Sequence, residues 1–180
     1  MFLSRRRFLK LGLVVTGAGL LPASVLASAR VVPAERTLAL YNTHTGEALR
    51  TVYWAQGQYL AEALHDVNHI LRDHRTNEVR PIEPQLLDLL HTLHCNLDSQ
   101  QPFEIISGYR SAASNAMLAA SSDGVARKSL HLHGKAVDIR LPGRELYDLH
   151  QAAVALRAGG VGYYSRSNFV HMDTGRARYW

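Results

Sequence analysis

Apolar residues recur along this chain with two different periods. From Tyr59 to His74 they fall at Leu60, Ala63, Leu64, Val67, Ile70 and Leu71, the three- and four-residue steps of a helix with one buried face. Pro84 to Cys95 repeats those steps with Leu86, Leu87, Leu89, Leu90 and Leu93, and Pro84 stands where a helix can begin. Gly143 to Ala158 is a third amphipathic stretch, stopped by Gly159-Gly160. A shorter helix is predicted over Ser114 to Ala120. Elsewhere the pattern is that of strands. Arg36 to Tyr53 reads as two strands joined by a turn at Thr45-Gly46-Glu47, and Phe103 to Ser107 and Ala136 to Leu141 read as single strands. Val161 to Tyr164 and Phe169 to Asp173 form a predicted hairpin with Ser165-Arg166-Ser167-Asn168 in its turn. Strands, then two helices, then strands with one crossover helix predict an α+β fold.

The first 29 residues follow neither pattern. Arg5, Arg6, Arg7 and Lys10 precede an apolar run from Leu11 to Leu26, broken by glycines and Pro22 and followed by Ala27-Ser28-Ala29. A charged start, a short apolar run and small residues at its end predict an export signal, with no stop-transfer charges to make it an anchor. Ser4-Arg5-Arg6-Arg7-Phe8-Leu9-Lys10 closely resembles the twin-arginine motif, which implies passage through the twin-arginine export machinery and a periplasmic destination. We therefore divide the chain into a signal over residues 1–29 and one domain over residues 30–180.

That division changes how the charge is read. The 180-residue chain has a net charge of +5, but four of its 20 lysines and arginines lie in the signal, which leaves 16 against 15 acidic residues. A nearly neutral domain without an aromatic and basic patch argues against a nucleic-acid partner. Cys95 is the single cysteine, so neither an internal disulfide nor a cysteine-rich zinc site can form, and any metal must be held by His, Asp or Glu.

Two segments offer such ligands. Ser129-Leu130-His131-Leu132-His133-Gly134-Lys135-Ala136-Val137-Asp138 packs two histidines and an aspartate into ten residues, and Phe169-Val170-His171-Met172-Asp173 adds a second pair. A hydrolytic zinc site needs three protein ligands and one open position. Residues two apart on a strand share a face, so His131 with His133, or His171 with Asp173, could point toward one ion. Spacing does not choose between His131 and His133. It is equally compatible with histidines on a solvated strand face and with Asp138 paired to Lys135 or Arg140. His65-Asp66-Val67-Asn68-His69 places two histidines one helical turn apart, but its acid is Asp rather than Glu and it lies on a core helix, so it is set aside. His44, His74, His91, His94 and His150 fit no ligand pattern and read as solvated.

Ser129-x-His131-x-x-Gly134-x-Ala136-x-Asp138 resembles, residue by residue, the signature of the zinc D-alanyl-D-alanine carboxypeptidase and murein endopeptidase superfamily. Ser107-Gly108-Tyr109-Arg110-Ser111, Gly159-Gly160-Val161-Gly162-Tyr163-Tyr164 and the segment around His171 extend the resemblance over most of residues 36–180. It implies a single domain whose small antiparallel sheet carries a zinc ion, packed against helices, with His131, Asp138 and His171 as ligands. It also implies a periplasmic zinc peptidase acting on peptidoglycan stem peptides in cell-wall remodelling, with Arg110 holding substrate or the developing oxyanion. A guanidinium can fork two hydrogen bonds to a carboxylate, and stem peptides are rich in carboxylates; the alternative is an ordinary surface arginine at a strand end.

The resemblance has one gap. Several relatives carry an acid three residues before the last ligand histidine, where this chain has Asn168, and an amide cannot take a proton from water. Asp173 and His133 are the nearest substitutes as general base, and Asp173 could equally orient a ligand histidine. The expected activity is cleavage of a diaminopimelate-diaminopimelate or D-alanine-diaminopimelate cross-link. The alternatives are a carboxypeptidase trimming terminal D-alanine and a zinc-stabilised module that binds peptidoglycan without cutting it.

Overall fold

Apolar alternation and the turns between its segments produce one sheet of eight strands in a computed structural model that describes residues 35–121 and 126–180. The expected export signal lies outside the described residues. Strands β1 (Glu35–Asn42), β2 (Ala48–Ala55) and β3 (Gln58–Tyr59) are followed by helices α1 (Ala61–Ile70) and α2 (Pro84–Asn96). Strand β4 (Phe103–Ser107), helix α3 (Ala112–Ser121), a 3₁₀ turn (Leu130–His133) and strand β5 (Ala136–Arg140) come next. Helix α4 (Leu146–Ala155) and strands β6 (Gly160–Tyr164), β7 (Phe169–Asp173) and β8 (Arg178–Tyr179) complete the chain. The described residues fall in one compact unit, and no described helix is long and apolar enough to cross a membrane.

The α+β class and the helix-packed sheet agree with the expectation, but the sheet is neither small nor purely antiparallel. Its order is β3-β2-β1-β4-β5-β7-β6-β8, and two of its pairs, β1 with β4 and β6 with β8, are parallel. The first follows from a crossover: a chain that leaves β1 through β2, β3 and two helices returns in the same direction at β4. The second arises because the segment after β7 folds back along β6.

Both helices after β3 are held by the leucine stripe that predicts them. Leu86, Leu87, Leu90 and Leu93 of α2 are fully buried, as is Val67 of α1, each removing enough apolar surface from water to contribute roughly 2 kcal/mol. They join Leu38 and Leu40 of β1, Phe103 and Ile105 of β4, and Val137 and Ile139 of β5 in one cluster. Strand β5 is buried from Ala136 to Ile139. Val137 and Ile139 point into the apolar cluster, so the period of two turns Ala136 and Asp138 to the opposite face. That second face is where the polar groups gather.

Candidate metal centre

Asp138 owes its position to strand register. It lies directly opposite His171 in the antiparallel pairing of β5 with β7, and Gly162 of β6 lies opposite His171 on the other side. His131 reaches the same point from a turn. Ser129 caps the 3₁₀ helix, its hydroxyl accepting from His131 N–H at 3.4 Å, and Gly134 ends it in the left-handed region at φ +64°. A Cβ on Gly134 would collide with the Pro81 carbonyl oxygen, so glycine is needed for backbone shape and for space. The 3₁₀ turn also separates the two histidines that spacing left equal. His131 is completely buried, whereas His133 is exposed; they do not share a face as they would on a strand.

His131, Asp138 and His171 form the one group of three potential metal ligands found among the described residues. His131 Nε2 stands 3.2 Å from Asp138 Oδ1 and 3.2 Å from His171 Nδ1, which in turn lies 2.8 Å from Asp138 Oδ1. Four ligands around an ion at about 2.0–2.1 Å stand about 3.3 Å apart, so these three atoms occupy one face of such a tetrahedron.

The outer nitrogens determine what those atoms present to one another. His131 Nδ1–H donates to the Gly108 carbonyl at 2.7 Å, and His171 Nε2–H donates to Asp173 Oδ2 at 2.9 Å. In the neutral tautomers assigned by these partners, both inner nitrogens carry lone pairs. Two lone pairs and a carboxylate oxygen therefore converge, an arrangement that repels itself until a cation enters. The titration of the group has the same meaning. Burial alone would lower the His171 pKa, but hydrogen bonds and charge from Asp138 and Asp173 overcome it and push it up to about 9. Burial lowers His131. Burial acts upward on Asp138, yet the two histidines hold its carboxyl well below the usual range. A proton on His171 stands in for a cation where no metal competes, and the donor set of two imidazoles and a carboxylate fits zinc.

Asp173 has no lone pair left for other work. Besides His171, it accepts from Arg178 Nη1 at 3.0 Å and Nη2 at 2.6 Å, from Gly160 N–H at 3.0 Å and from Gly175 N–H at 2.8 Å. Burial would raise its pKa, but these partners hold it well below the carboxylate range. Asn168 lies in the turn between β6 and β7 at φ +52°. It lines a separate pocket beside Glu104 and Arg140.

Arg110 is buried, with Nη2 3.8 Å from Asp138 Oδ2. It shares a cleft with Asp138, His171, Tyr164, Phe169 and Trp180. Burial lowers its pKa against the raising effect of the Asp138 charge, but a guanidinium stays charged at neutral pH.

The turn carrying Arg110 is templated by a segment that sequence reasoning did not single out. Tyr109 N–H donates to the Leu71 carbonyl at 2.8 Å. Asp73, buried to 1% exposure, accepts from Ser111 N–H at 2.8 Å. Burial would raise the Asp73 pKa, but hydrogen bonds from the Ser111 and Ser114 region keep it below its usual range. A Cβ on Gly108 would strike the Leu71 carbonyl oxygen. The signal for Asp73 was slight, a lone acid among basic and polar residues after a helix.

His65 and His69 stay on the surface of α1, each 3.7 Å from a single carboxylate, Asp66 and Glu47 respectively. The expectation that the remaining histidines are solvated needs correction. His74, His91, His94 and His150 are half-buried; His74 stacks on His44 at 3.8 Å and His94 packs on Phe103 at 4.9 Å.

The family model described as "Peptidoglycan L,D-endopeptidase MepK" matches residues 30–180. The chain belongs to this family. Escherichia coli (strain K12) peptidoglycan L,D-endopeptidase MepK is 45% identical over 177 residues, covering 98% of this chain and 97% of the relative. The probable peptidoglycan L,D-endopeptidase MepK of Haemophilus influenzae is 40% identical over 178 residues, with 98% and 95% covered. A crystal structure of Serratia marcescens L-Ala D-Glu endopeptidase ChiX shares 25% identity over 41% of this chain and 57% of its own, at a TM-score of 0.32. The three residues that the motif resemblance implies as ligands, His131, Asp138 and His171, come together, while His133, left open by spacing, stays outside.

Proposed function

We propose that this chain is a zinc-dependent peptidoglycan endopeptidase of the periplasm, exported by the twin-arginine route, that hydrolyses peptide cross-links between stem peptides. The bond is either diaminopimelate-diaminopimelate or D-alanine-diaminopimelate, and the family match favours the L,D type. The observation that carries the reading is the convergence of His131 Nε2, His171 Nδ1 and Asp138 Oδ1 to within 3.2 Å of one another.

His131, Asp138 and His171 would hold zinc, which would supply Lewis-acid polarisation of a carbonyl and a lowered pKa for water. The protein's own groups do the rest. Asp173 fixes the tautomer and ring orientation of His171 through Nε2, a positioning role rather than that of a proton acceptor, since Gly160, Gly175 and Arg178 occupy its oxygens. The Gly108 carbonyl does the same for His131. Arg110 presents a fixed cation beside Asp138, placed to neutralise a substrate carboxylate or the charge that develops on the attacked carbonyl.

The test is digestion of purified sacculi by the zinc-loaded protein, with the released muropeptides identified. Loss of cross-linked dimers and gain of monomers is the expected result. Release of D-alanine alone would make the protein a carboxypeptidase, and binding without any product would make it a non-catalytic module.

A further inference from the structure

Tyr164 closes β6 on the face that carries His171. In the register of β6 with β7, Gly162 stands opposite His171 and Tyr164 opposite Phe169, and alternate residues share a face. Trp180 fills the space above Gly162, where an added Cβ would meet the indole ring at 2.6 Å. Its ring lies 5.4 Å from that of His171, and the Arg178 guanidinium covers it at 5.0 Å. The ring of Tyr164 is fixed as well, stacked on Phe169 at 4.6 Å and 17°.

One hydrogen bond sets the direction of the Tyr164 hydroxyl. Trp180 Nε1 donates to the Tyr164 oxygen at 3.0 Å. An indole N–H can only donate, so Tyr164 is the acceptor there and its own hydrogen turns elsewhere. Among the described residues that hydroxyl has no protein acceptor, and it borders the cleft that holds Arg110. Arg110 Nε is likewise buried without a hydrogen-bond partner among the described residues. Asp138, the one described carboxylate lining this cleft, turns Oδ1 to the two histidines and Oδ2 toward Arg110 Nη2. The cleft thus offers an unspent phenolic donor and an unspent guanidinium Nε, on an arginine whose Nη2 faces Asp138 Oδ2 at 3.8 Å.

We propose that Tyr164 is a substrate-binding residue that, together with Arg110, grips a carboxylate of the stem peptide, and that Trp180 is the positioning residue that aims its hydroxyl. This deepens the peptidoglycan reading above and rests on it. A peptide bearing a free carboxylate next to the scissile amide is the matching ligand class, and an amidated one is disfavoured.

The experiment compares wild type, Tyr164→Phe, Trp180→Phe and the double variant, all zinc-loaded, on cross-linked muropeptides. Tyr164→Phe should raise KM about tenfold, the size of one hydrogen bond to a charged group, with the loss falling on KM rather than kcat. Trp180→Phe, which keeps a ring over Gly162 but removes the N–H, should raise KM about threefold. The double variant should be no worse than Tyr164→Phe, because both act through one hydroxyl. Calorimetry with the product tripeptide gives a second readout. Amidating its terminal diaminopimelate carboxyl should weaken binding to wild type about tenfold and to Tyr164→Phe about twofold. Equal KM for wild type and Tyr164→Phe, or an equal amidation effect on both, overturns the proposal. A wild type inert on sacculi that still binds the tripeptide with the expected amidation pattern overturns the proposed activity and supports this inference; one that binds no tripeptide overturns this inference.

Discussion

Asp138 and His171 face each other in register across neighbouring antiparallel strands, Oδ1 of one lying 2.8 Å from Nδ1 of the other. Because strand pairing sets this separation, it does not depend on loop conformation. With His131 completing the triangle, replacing any one corner removes a third of the donor set. Purified Asp138→Ala and His171→Ala proteins should carry less than about a tenth of the wild-type zinc, measured as metal per chain after dialysis. Wild-type stoichiometry in either would remove that residue from the ligand set.

Asp173 touches the centre only through the far nitrogen of His171. Asp173→Asn should therefore weaken zinc about 10- to 100-fold, the usual cost of losing the group behind a ligand histidine. Retained zinc affinity and retained turnover together would mean that the His171 ring needs no such support.

Zinc uptake should depend on pH in a defined direction. The metal-free His171 holds its proton up to about pH 9, and a ligand must be deprotonated to bind. The apparent affinity should rise about tenfold per pH unit between 7 and 9 from this group and level off above. Competition against a chelator across that range reads it directly, and a flat profile would contradict the raised pKa. The metal-free protein has a linked signature. A raised histidine pKa stabilises the fold below the unfolded value near 6.5, and that contribution is lost as pH rises through 9. Its Tm should fall over this window while the zinc-loaded protein holds steady.

Gly134 and Gly46 offer a matched comparison of strain and space. Both have positive φ, +64° and +73°, but a Cβ meets the Pro81 carbonyl at Gly134 and nothing within 4 Å at Gly46. Gly46→Ala should cost about 1 kcal/mol. Gly134→Ala should cost more than about 2 kcal/mol and, by displacing the turn that ends the His131 helix, also lower zinc occupancy. Equal chemical-denaturation midpoints for the two variants would show that the neighbouring backbone yields.

Periodicity foretold the helices of the core because their leucine stripes are local signals, and it foretold the β6-β7 hairpin because its turn is short. Parallel pairing left no such trace. Nothing in β1 announces that it will lie beside β4, since the partner is chosen by a crossover of about 60 residues. The strands of two residues, Gln58–Tyr59 and Arg178–Tyr179, are too short to show any period. Near the centre, the motif resemblance led to the residues that converge, His131 among them, whereas spacing alone could not separate His131 from His133, because alternation misreads the 3₁₀ turn as a strand. Asp73 and the pairing of Tyr164 with Trp180 left no trace in the sequence, although Tyr109, Tyr163 and Tyr164 read as either the wall of a substrate groove or core packing, because Ser111 and Trp180 are brought close only by the tertiary fold.

The three donors are separated by 7, 33 and 40 positions along the chain. An unfolded polypeptide gathers no such triangle, so the ion recognises the completed sheet and not its parts. Zinc at a hundredfold excess over its dissociation constant would therefore add about 2.7 kcal/mol to the folded state by mass action. The pairing of β5 with β7, set by backbone hydrogen bonds, would then decide when during folding the chain could first gather the donors of a metal site.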